Sequence, residues 1–434
     1  MGRRYFKMKL IIDNFAKIKH ADIMIDGITV IAGENNSAKS TIGKVLYSSF
    51  NSLYDIEGKI EKRRIENIYD VCNRGMRNAF MHELRSPRTI SDRISKEFSN
   101  ILVRQGTVDK LKYHKILIDI LKKYNVELSE ERVEEILENT YDKIVSLKKN
   151  DDYEIALELI QRFFTQVFDS QIQCLKGAEK KAKVTLVIKN KELSIQFENN
   201  ECVKWETEYN ILHEAFFIDD PFVLDNLTGF YFLSNNTIRN QLIERLSDDD
   251  LMEGIFDAVK AKDSLKEIYN ILDQITKGKI SVRNGQWELS SEEYQEPVHF
   301  ENLSAGLKSF VLVKMLLEKG ILKEKDVLIL DEPEIHLHPE WQLVYAELIV
   351  LLQKMFDLSI VVTTHSRDFL EAIELSVKKY KLNDKSNFYL SRMEDELVVF
   401  DNVTNNLERI YNQLVTPSML LDKLRYEIGM DEDE

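Results

Sequence analysis

The sequence predicts an α/β fold that carries a small β meander and an inserted helical lobe. Three observations lead to this class. A short apolar strand at residues 28–32 runs directly into a polar loop and a helix. Charged segments with apolar residues at three-to-four spacing fill residues 55–181, and strands alternate with helices again after residue 285. We therefore expect an α/β domain, the head, that is formed by two separate parts of the chain. Its N-terminal part is expected at residues 1–54 and its remainder at 183–434, with the helical insertion lobe at 55–182 between them.

Strands are expected where short β-branched and apolar runs lie between turn residues. In the first part of the chain these runs occupy residues 8–12, 21–25 and 28–32, and a helix should begin at Thr41. The meander is expected from three alternating runs with Asn-containing turns, at residues 184–188, 193–197 and 203–207. Later strands are expected at residues 215–218, 326–330, 358–363, 388–390 and 396–400, with a hairpin around residues 283–285.

The helical block is predicted to be a compact lobe and not a coiled coil. A coiled coil needs a heptad pattern sustained over about three or four repeats, and Gly75, Pro87 and Gly106 interrupt any such register. Residues 59–104 hold eleven Lys or Arg against six Asp or Glu. Among these cations are Lys62, Arg63, Arg64, Arg74, Arg77, Arg85, Arg88 and Arg93. The excess predicts a face that binds DNA or a partner protein, or else an ordinary solvated helical surface.

Composition limits the kinds of function. The chain has 434 residues, 44% of them hydrophobic, and a net charge of −15, so any contact with DNA must be local. Cys72, Cys174 and Cys202 show no paired spacing, which argues against a disulfide framework or a zinc module and fits a reducing compartment. No apolar run approaches the roughly 18 residues that span a bilayer. We therefore expect a soluble cytoplasmic protein without a membrane partner.

The polar loop after the strand at residues 28–32 predicts a nucleotide site, although a simple polar turn is the alternative. Such a loop surrounds phosphate oxygens with backbone N–H groups, supplies a lysine to the β- and γ-phosphates and places a hydroxyl on Mg²⁺. Alanine replaces the second glycine of the pattern, where its methyl group makes positive φ costly. The lysine and the hydroxyl are unchanged, so we expect binding to survive. The expected contacts to ATP are Gly33, Asn35, Asn36, Ser37, Ala38, Lys39, Ser40 and Thr41.

The strand at residues 326–330 ends in acidic residues that resemble a Walker B segment. A carboxylate at the tip of a buried strand can hold Mg²⁺, and a second one beside it can orient or deprotonate a water molecule. Asp331, together with Ser40, is therefore expected to hold the metal, and Glu332 is expected to act as the general base.

Residues 302–308, Asn-Leu-Ser-Ala-Gly-Leu-Lys, resemble the signature LSGGQ of ABC ATPases. Ser304 and Gly306 match that pattern, whereas Ala305 and Leu307 replace its first glycine and its glutamine. The stretch should open a helix, and the resemblance implies that the two matching residues contact ATP.

The order of loop, signature, acidic strand end and histidine resembles that of ABC and SMC-like P-loop ATPases. His365, which follows the strand at residues 358–363, resembles their switch histidine and could bond the γ-phosphate. Residues 334–339, Glu-Ile-His-Leu-His-Pro, narrow the resemblance to the overcoming-lysogenization-defect type and related prokaryotic defence ATPases of the AAA family. The resemblance implies an ABC/SMC-type P-loop NTPase head. A metal-binding pair of His336 and His338 is the alternative interpretation of this stretch.

In this superfamily each ATP lies between the loop of one subunit and the signature of another. The resemblance therefore implies a homodimer with composite ATP sites, ATP and Mg²⁺ as cofactors, and Glu332 and His365 as the catalytic residues. Ser304 and Gly306 would complete the site across the interface. The glutamine loop of the superfamily has no counterpart here, because residues 219–222 read Asp-Asp-Pro-Phe. Asp220 could contact the metal there, or the segment could be a turn.

Three functions remain open at this stage. Nucleases of the overcoming-lysogenization-defect type carry a Toprim domain after the histidine, and the 69 residues that follow His365 are too few for one. We therefore expect the sensor or regulatory ATPase of an anti-phage defence system, acting on a separate effector such as a nuclease or toxin. An SMC-like or RecF-like DNA-repair ATPase is the alternative. The ATPase subunit of a membrane transporter is disfavoured by the altered signature and the helical insertion.

Overall fold

The structure is a computed structural model that describes residues 8–80, 87–105, 109–149, 151–176, 181–227, 237–247, 263–291, 295–414 and 425. Arg85 and Gly106, which entered the predictions above, lie outside these residues. The chain divides into two compact units. One consists of Met1–Tyr54 together with Gln161–Glu434, and the other is Asp55–Ile160.

The first unit is built on a mixed sheet of eleven strands, so the predicted α/β class is confirmed. In this sheet the strand order is β6-β5-β4-β1-β2-β14-β13-β3-β12-β11-β7, and β8, β9 and β10 form a second sheet. The strands are β1 (Met8–Phe15), β2 (Ile18–Met24), β3 (Ile28–Gly33), β4 (Ala182–Ile188), β5 (Lys191–Glu198), β6 (Glu201–Thr207), β7 (Ala215–Ile218), β8 (Gly278–Arg283), β9 (Gln286–Ser291), β10 (Val298–His299), β11 (Val327–Asp331), β12 (Ser359–Thr364), β13 (Ser386–Glu394) and β14 (Leu397–Asn402).

Five neighbouring strands of the main sheet, β13, β3, β12, β11 and β7, run parallel. Their carboxyl ends therefore meet at one edge of the sheet, where α/β proteins usually place their ligands. Every residue of β3, β7 and β12 is buried, as expected for strands covered on both faces.

The meander of β4, β5 and β6 continues the main sheet, because β4 pairs antiparallel with β1. The sequence predicted the three strands but not the strand that they join, since pairing between distant segments leaves no local signal. The predicted hairpin connects β8 to β9 through Asn284 and Gly285, both with positive φ.

Helices of the first unit flank the sheet. Helix α1 (Lys39–Leu53) begins earlier than the expected start at Thr41, because Ala38 turns the chain in the left-handed conformation and the next residues are already helical. The helices that follow the meander span Thr237–Ser247, Asp263–Thr276, Ala305–Glu318, Pro339–Phe356 and Arg367–Lys379. None of the helices in the described residues is long and apolar enough to span a bilayer.

The second unit is a helical lobe with its own core. It contains α2 (Ile56–Phe80), α3 (Pro87–Arg104), α4 (Lys110–Lys123), α5 (Glu130–Lys149) and the first part of α6 (Asp152–Phe168). Cys72, Met76, Phe98, Tyr113 and Ile136 are almost completely buried together in this core. Residues from four different helices thus share one cluster, as in a compact bundle.

The lobe ends at Ile160, earlier than the expected boundary at residue 182. The second half of α6 belongs to the α/β unit, because Phe164 and Phe168 pack against Phe15 of β1. Phe164 also packs against Phe197 of β5. Aromatic residues at helical spacing could equally have faced a helical core, so the sequence alone did not reveal this boundary.

Candidate nucleotide site

Three of the segments singled out in the sequence meet at the carboxyl edge of the parallel strands. The loop follows β3, the acidic pair ends β11 and the histidine follows β12. Ala32 of β3 lies opposite Thr364 of β12, and Thr363 of β12 lies opposite Asp331 of β11. Neighbouring parallel strands therefore bring together residues that are far apart in sequence.

The loop backbone has little room at its first glycine. A Cβ atom on Gly33 would lie 2.1 Å from Ser391 Oγ and 2.8 Å from Ser391 O. Ser391 Oγ also lies 2.7 Å from Ser37 Oγ and 3.2 Å from the carbonyl oxygen of Ala32. Ser391, which is on β13, thus braces both ends of the loop. Ser391 was not predictable from the sequence, because nothing in its local pattern distinguishes it from other serines.

Ala38 adopts the backbone conformation that the missing glycine would have supplied. Its φ is 56°, in the left-handed region, which costs an alanine about 1–2 kcal/mol. As the residue that precedes α1, it makes no side-chain hydrogen bond to the first turn of that helix. Alanine in place of glycine at this position therefore adds strain to the loop, but the backbone of the loop follows the course that a glycine would allow. The amide groups of the first turn have no capping side chain, as a phosphate-binding helix terminus requires.

Lys39 lies over its own loop. Its side chain is 4% exposed, and its Nζ donates hydrogen bonds to Gly33 O at 3.1 Å and Glu34 O at 2.8 Å. The same Nζ lies 3.6 Å from Glu332 Oε1. Asn35 and Asn36 are exposed on the loop, and Ser40 and Thr41 lie half-buried in the first turn of α1.

Asp331 and Glu332 are held by the neighbouring strand. The hydroxyl of Thr363, which is completely buried, donates to Asp331 Oδ1 at 2.6 Å and accepts from Glu332 N at 3.0 Å. Burial raises the pKa of the Asp331 carboxyl, while hydrogen bonds from Thr363 and Ser40 act in the opposite direction. The predicted metal ligands Ser40 and Asp331 are therefore in direct contact with each other.

Two carboxylates approach the same ring nitrogen of His365, and one of them, Glu334, was not among the predicted site residues. The Nδ1 atom of His365 is 3.4 Å from Glu332 Oε1 and 3.8 Å from Glu334 Oε1. Glu334 is 3% exposed, and its Oε1 accepts hydrogen bonds from Thr364 Oγ1 and from the backbone N of His365. Its Oε2 is buried without a hydrogen-bond partner in the described part of the chain. Burial raises the pKa of this carboxyl.

The signature forms the start of the helix Ala305–Glu318. Ser304 is exposed and caps that helix, its Oγ accepting a hydrogen bond from Leu307 N at 3.3 Å. A Cβ atom on Gly306 would lie 3.0 Å from His336 O and 3.2 Å from the ring of Trp341, so the helix packs closely on this segment. Within the described residues, neither Ser304 nor Gly306 forms a hydrogen bond with residues 33–41.

Asp220 and the pair of His336 and His338, the other candidate metal ligands, have contacts of their own in the structure. Asp220 Oδ1 accepts from Phe222 N and its Oδ2 accepts from Arg239, an arrangement that supports the turn interpretation. His336 packs edge-on against Phe222, and His338 precedes the helix Pro339–Phe356. The described residues contain no group of three or more His, Cys, Asp or Glu side chains that could hold a metal ion, so His336 and His338 belong to no such group.

Residues 8–370 match the family model described as AAA ATPase domain. The Septu protein PtuA of Bacillus thuringiensis is 26% identical over 172 residues, which cover 36% of this chain and 42% of PtuA. The chain thus spans less than half the length of that curated relative.

Similar solved structures include the SMC head domain from Thermotoga maritima, with 10% identity, a TM-score of 0.38 and coverage of 92% of this chain and 99% of that chain. Another is the Smc head domain with an extended coiled coil bound to the C-terminal domain of ScpA, derived from Pyrococcus furiosus, with 12% identity and a TM-score of 0.43. That match covers 96% of this chain and 99% of the other.

Proposed function

The chain belongs to the AAA ATPase domain family, and we propose that it binds ATP with Mg²⁺ and hydrolyses it to ADP and phosphate. One observation carries this proposal. The parallel strands gather Lys39, Ser40, Asp331, Glu332 and His365 at a single edge of the sheet, with Lys39 Nζ 3.6 Å and His365 Nδ1 3.4 Å from the same oxygen of Glu332. A cation, a hydroxyl and a pair of carboxylates in this arrangement are the groups that phosphoryl transfer needs.

The residues present fit a magnesium ion. Mg²⁺ prefers oxygen ligands and is usually held by one or two protein groups together with substrate phosphates. The Ser40 hydroxyl and the Asp331 carboxylate provide such oxygens, and the hydrogen bond between them supports the proposal that one ion binds to both. When bound, Mg²⁺ would neutralise charge on the phosphate oxygens.

The protein side chains would divide the remaining work. Lys39 exchanges its bonds to the loop carbonyls for bonds to phosphate oxygens, and the uncapped amides of α1 bind the same group. Glu332 orients a water molecule and takes its proton as the water oxygen bonds to the γ-phosphorus. The bond from that phosphorus to the bridging oxygen breaks, and ADP leaves. His365 donates a hydrogen bond to a γ-phosphate oxygen.

The nucleotide-binding step can be tested at the loop itself. Wild-type protein is expected to bind Mg·ATP, and Lys39→Ala should lower its affinity about 10- to 100-fold, because a hydrogen bond to a charged group contributes about 1.5–3 kcal/mol. Ala38→Gly should bind at least as tightly as wild type, since glycine adopts positive φ without strain. Isothermal titration calorimetry measures all three. Binding that appears only in Ala38→Gly would show that the alanine disables the site.

Glu334 is proposed to position His365 for hydrolysis. Its Oε1 already holds the backbone N of His365 and the hydroxyl of Thr364, and it lies close to Nδ1 of the imidazole. A buried carboxylate behind a histidine fixes the orientation of the ring. Glu334→Gln is therefore expected to lower kcat about 10- to 100-fold while the KM for ATP changes little, since loss of such supporting partners costs about this factor.

A double-mutant cycle separates positioning from a general effect on folding. In a His365→Ala background, Glu334→Gln should cause no further loss of kcat, because the group that it positions is absent. Glu340→Gln, at an exposed glutamate in the first turn of the next helix, is the matched control and should leave kcat unchanged. If Glu334→Gln costs the same factor in both backgrounds, the residue acts through the fold and not through His365.

We also propose that ATP links two copies of the chain and that the nucleotide state is passed to a separate effector, a nuclease or toxin, in an anti-phage defence system. Two observations support this proposal. Ser304 is exposed and makes no hydrogen bond to the loop of its own chain within the described residues, so its hydroxyl is available to another subunit. Similarity to the Septu protein PtuA and resemblance to prokaryotic defence ATPases favour the defence role.

A DNA-repair ATPase is the second candidate function, and the exposed cations of the helical lobe favour it. The two candidates differ in what stimulates hydrolysis. Stimulation of ATP turnover by DNA alone supports the repair role, whereas a defence regulator should need its effector or a phage component.

A further inference from the structure

One face of α3 in the helical lobe carries exposed cations that the described residues of the lobe do not neutralise. Arg93, Lys96 and Arg104 are exposed, and together with Asn100 they recur at intervals of three or four residues. This spacing places them along a single face of the helix. Within the described residues, the side chains of the three cations form no ion pair or hydrogen bond.

The basic residues that stand out most in the sequence behave differently. Arg63 pairs with Glu158, and Arg64 pairs with Asp152 at 2.8 Å. These two arginines hold α2 to α6 within the lobe, and their charge is compensated. Residues 62–64 form the densest basic run of the lobe, but two of these three cations are paired with acids. The cations of α3 are not paired within the described residues, so they contribute uncompensated positive charge.

The cations of α3 line a groove that contains an aromatic ring. Residues Arg93, Lys96, Glu97, Asn100, Ile101, Arg104 and Tyr124 surround a volume of about 480 Å³. The acid in this set is Glu97, whose oxygens accept from Lys123 Nζ at 2.7 and 2.8 Å and from Tyr124 OH at 2.9 Å. The bonds from Lys123 are the main reason that the pKa of Glu97 is lowered. The groove is thus positive although it contains a carboxylate.

We propose that this α3 groove binds a single strand of nucleic acid. From Arg93 to Arg104 the helix rises about 16 Å, a length over which one strand of a duplex presents about five phosphates. Arginine suits phosphate oxygens because its planar donors can bind two of them at once. Tyr124 is half-buried, and Lys123 Nζ lies 5.8 Å from the centroid of its ring. A base that takes the place of this ammonium group would stack on the ring, and cations beside an aromatic ring are typical of sites for single strands.

Other occupants fit the groove less well. A duplex keeps its bases stacked inside, so it would meet only the cations and not the ring of Tyr124. An acidic peptide would be attracted by the charge, but it has no flat group to stack on the ring. The net charge of the whole chain is −15, so it does not attract nucleic acid from a distance. Salt also screens the cations of α3, and their attraction for phosphates therefore acts only close to this face.

The experiment measures binding of a short fluorescent DNA strand to the full chain by anisotropy, without ATP and at several salt concentrations. The variant Arg93→Gln, Lys96→Gln, Arg104→Gln should bind more weakly and reduce the slope of log affinity against log salt by about two, because each phosphate contact to a single strand contributes about 0.7 to that slope. The matched control is Lys110→Gln, Lys112→Gln, Lys115→Gln, which removes the same charge from exposed positions on α4 of the same lobe. The control should bind as wild type does.

A second pair of variants tests the ring. Tyr124→Leu should lower the affinity about tenfold without changing the salt slope, because a stacked base contributes without releasing counterions. Tyr124→Phe keeps the ring and should bind nearly as wild type does. Such binding would also show that the hydrogen bond from the Tyr124 hydroxyl to Glu97 is not needed. Thermal melting of each variant establishes that it is folded.

Several outcomes overturn the proposal. These are absence of binding at low salt, equal losses in the α3 and α4 variants, and binding of the matching duplex or of polyglutamate as tight as that of the strand. The measurement is independent of the proposed ATPase function. A chain that hydrolyses ATP but does not bind the strand overturns this inference alone, and a chain that binds the strand without hydrolysing ATP overturns the ATPase proposal alone.

Discussion

Glu332→Gln is expected to lower ATP turnover about 100- to 10,000-fold, the usual contribution of a general base. Glutamine has the same shape as glutamate but cannot take a proton from water. The variant keeps Ser40 and Asp331, so it should still bind Mg·ATP and hold it without hydrolysis. If the composite dimer forms as proposed, this variant should accumulate as a dimer with ATP bound. Phosphate release measures the turnover, and light scattering measures the mass.

Glu340→Gln is the control for this experiment, because it removes a carboxylate at an exposed position in the first turn of the helix that follows β11. Its turnover should equal that of wild type. Unchanged turnover in Glu332→Gln would show that another group takes the proton. Glu334 would then be the next candidate, since its Oε1 lies 3.8 Å from the same Nδ1 of His365 that Glu332 approaches.

Ser304→Arg is expected to abolish the ATP-dependent increase in mass and to lower turnover about 100-fold or more, as the loss of a donor to developing charge does. The exposed hydroxyl of Ser304 would contact the γ-phosphate of a second subunit, and arginine places bulk and charge at that point. Nucleotide binding within each protomer should be retained, because residues 33–41 are untouched. Light scattering with ATP and with ADP, in the Glu332→Gln background, compares the two states.

Ser129→Arg provides a matched control for loss of the helix cap. Ser129 is also exposed, and its Oγ lies in the capping position of α5, 3.4 Å from Arg132 N. Both substitutions therefore remove a similar cap, which contributes about 0.5–2 kcal/mol to stability, but only one changes the signature. A mass that does not depend on nucleotide in the Glu332→Gln protein would show that association is not the switch. Normal hydrolysis by Ser304→Arg would rule out a shared site.

The elements that carry the site were predictable from the sequence because their signals are local. An apolar run followed by glycine and a lysine-serine pair predicts strand, loop and helix within a few residues of chain. The same holds for the acids at the end of β11 and the histidine after β12. The resemblance to P-loop ATPases, drawn from the order of these motifs, is confirmed by the family match over residues 8–370. The roles of the individual residues stay predictions.

Residues that support the site were missed for the opposite reason. Ser391 and Thr363 act through their position beside the loop and the acids, and serine or threonine in a strand carries no signal of that kind. Glu334 lies two residues after the acidic pair and begins the stretch 334–339, but only its burial and its bonds to Thr364 and His365 distinguish it from an exposed acid. Burial of a charged side chain cannot be inferred from its own identity.

By itself the sequence determined the α/β class, the position of the loop and the acidic strand end, and the existence of a helical insertion, because each depends on residues close together in the chain. Only the tertiary structure decided that the meander extends the main sheet, that α6 is shared between the units, and which cations of the lobe are compensated. Arg63 and Arg64 look like the strongest basic patch in the sequence, yet acids about ninety residues away pair with them. Such partners are chosen by packing between distant segments, and packing is the information that a local pattern lacks.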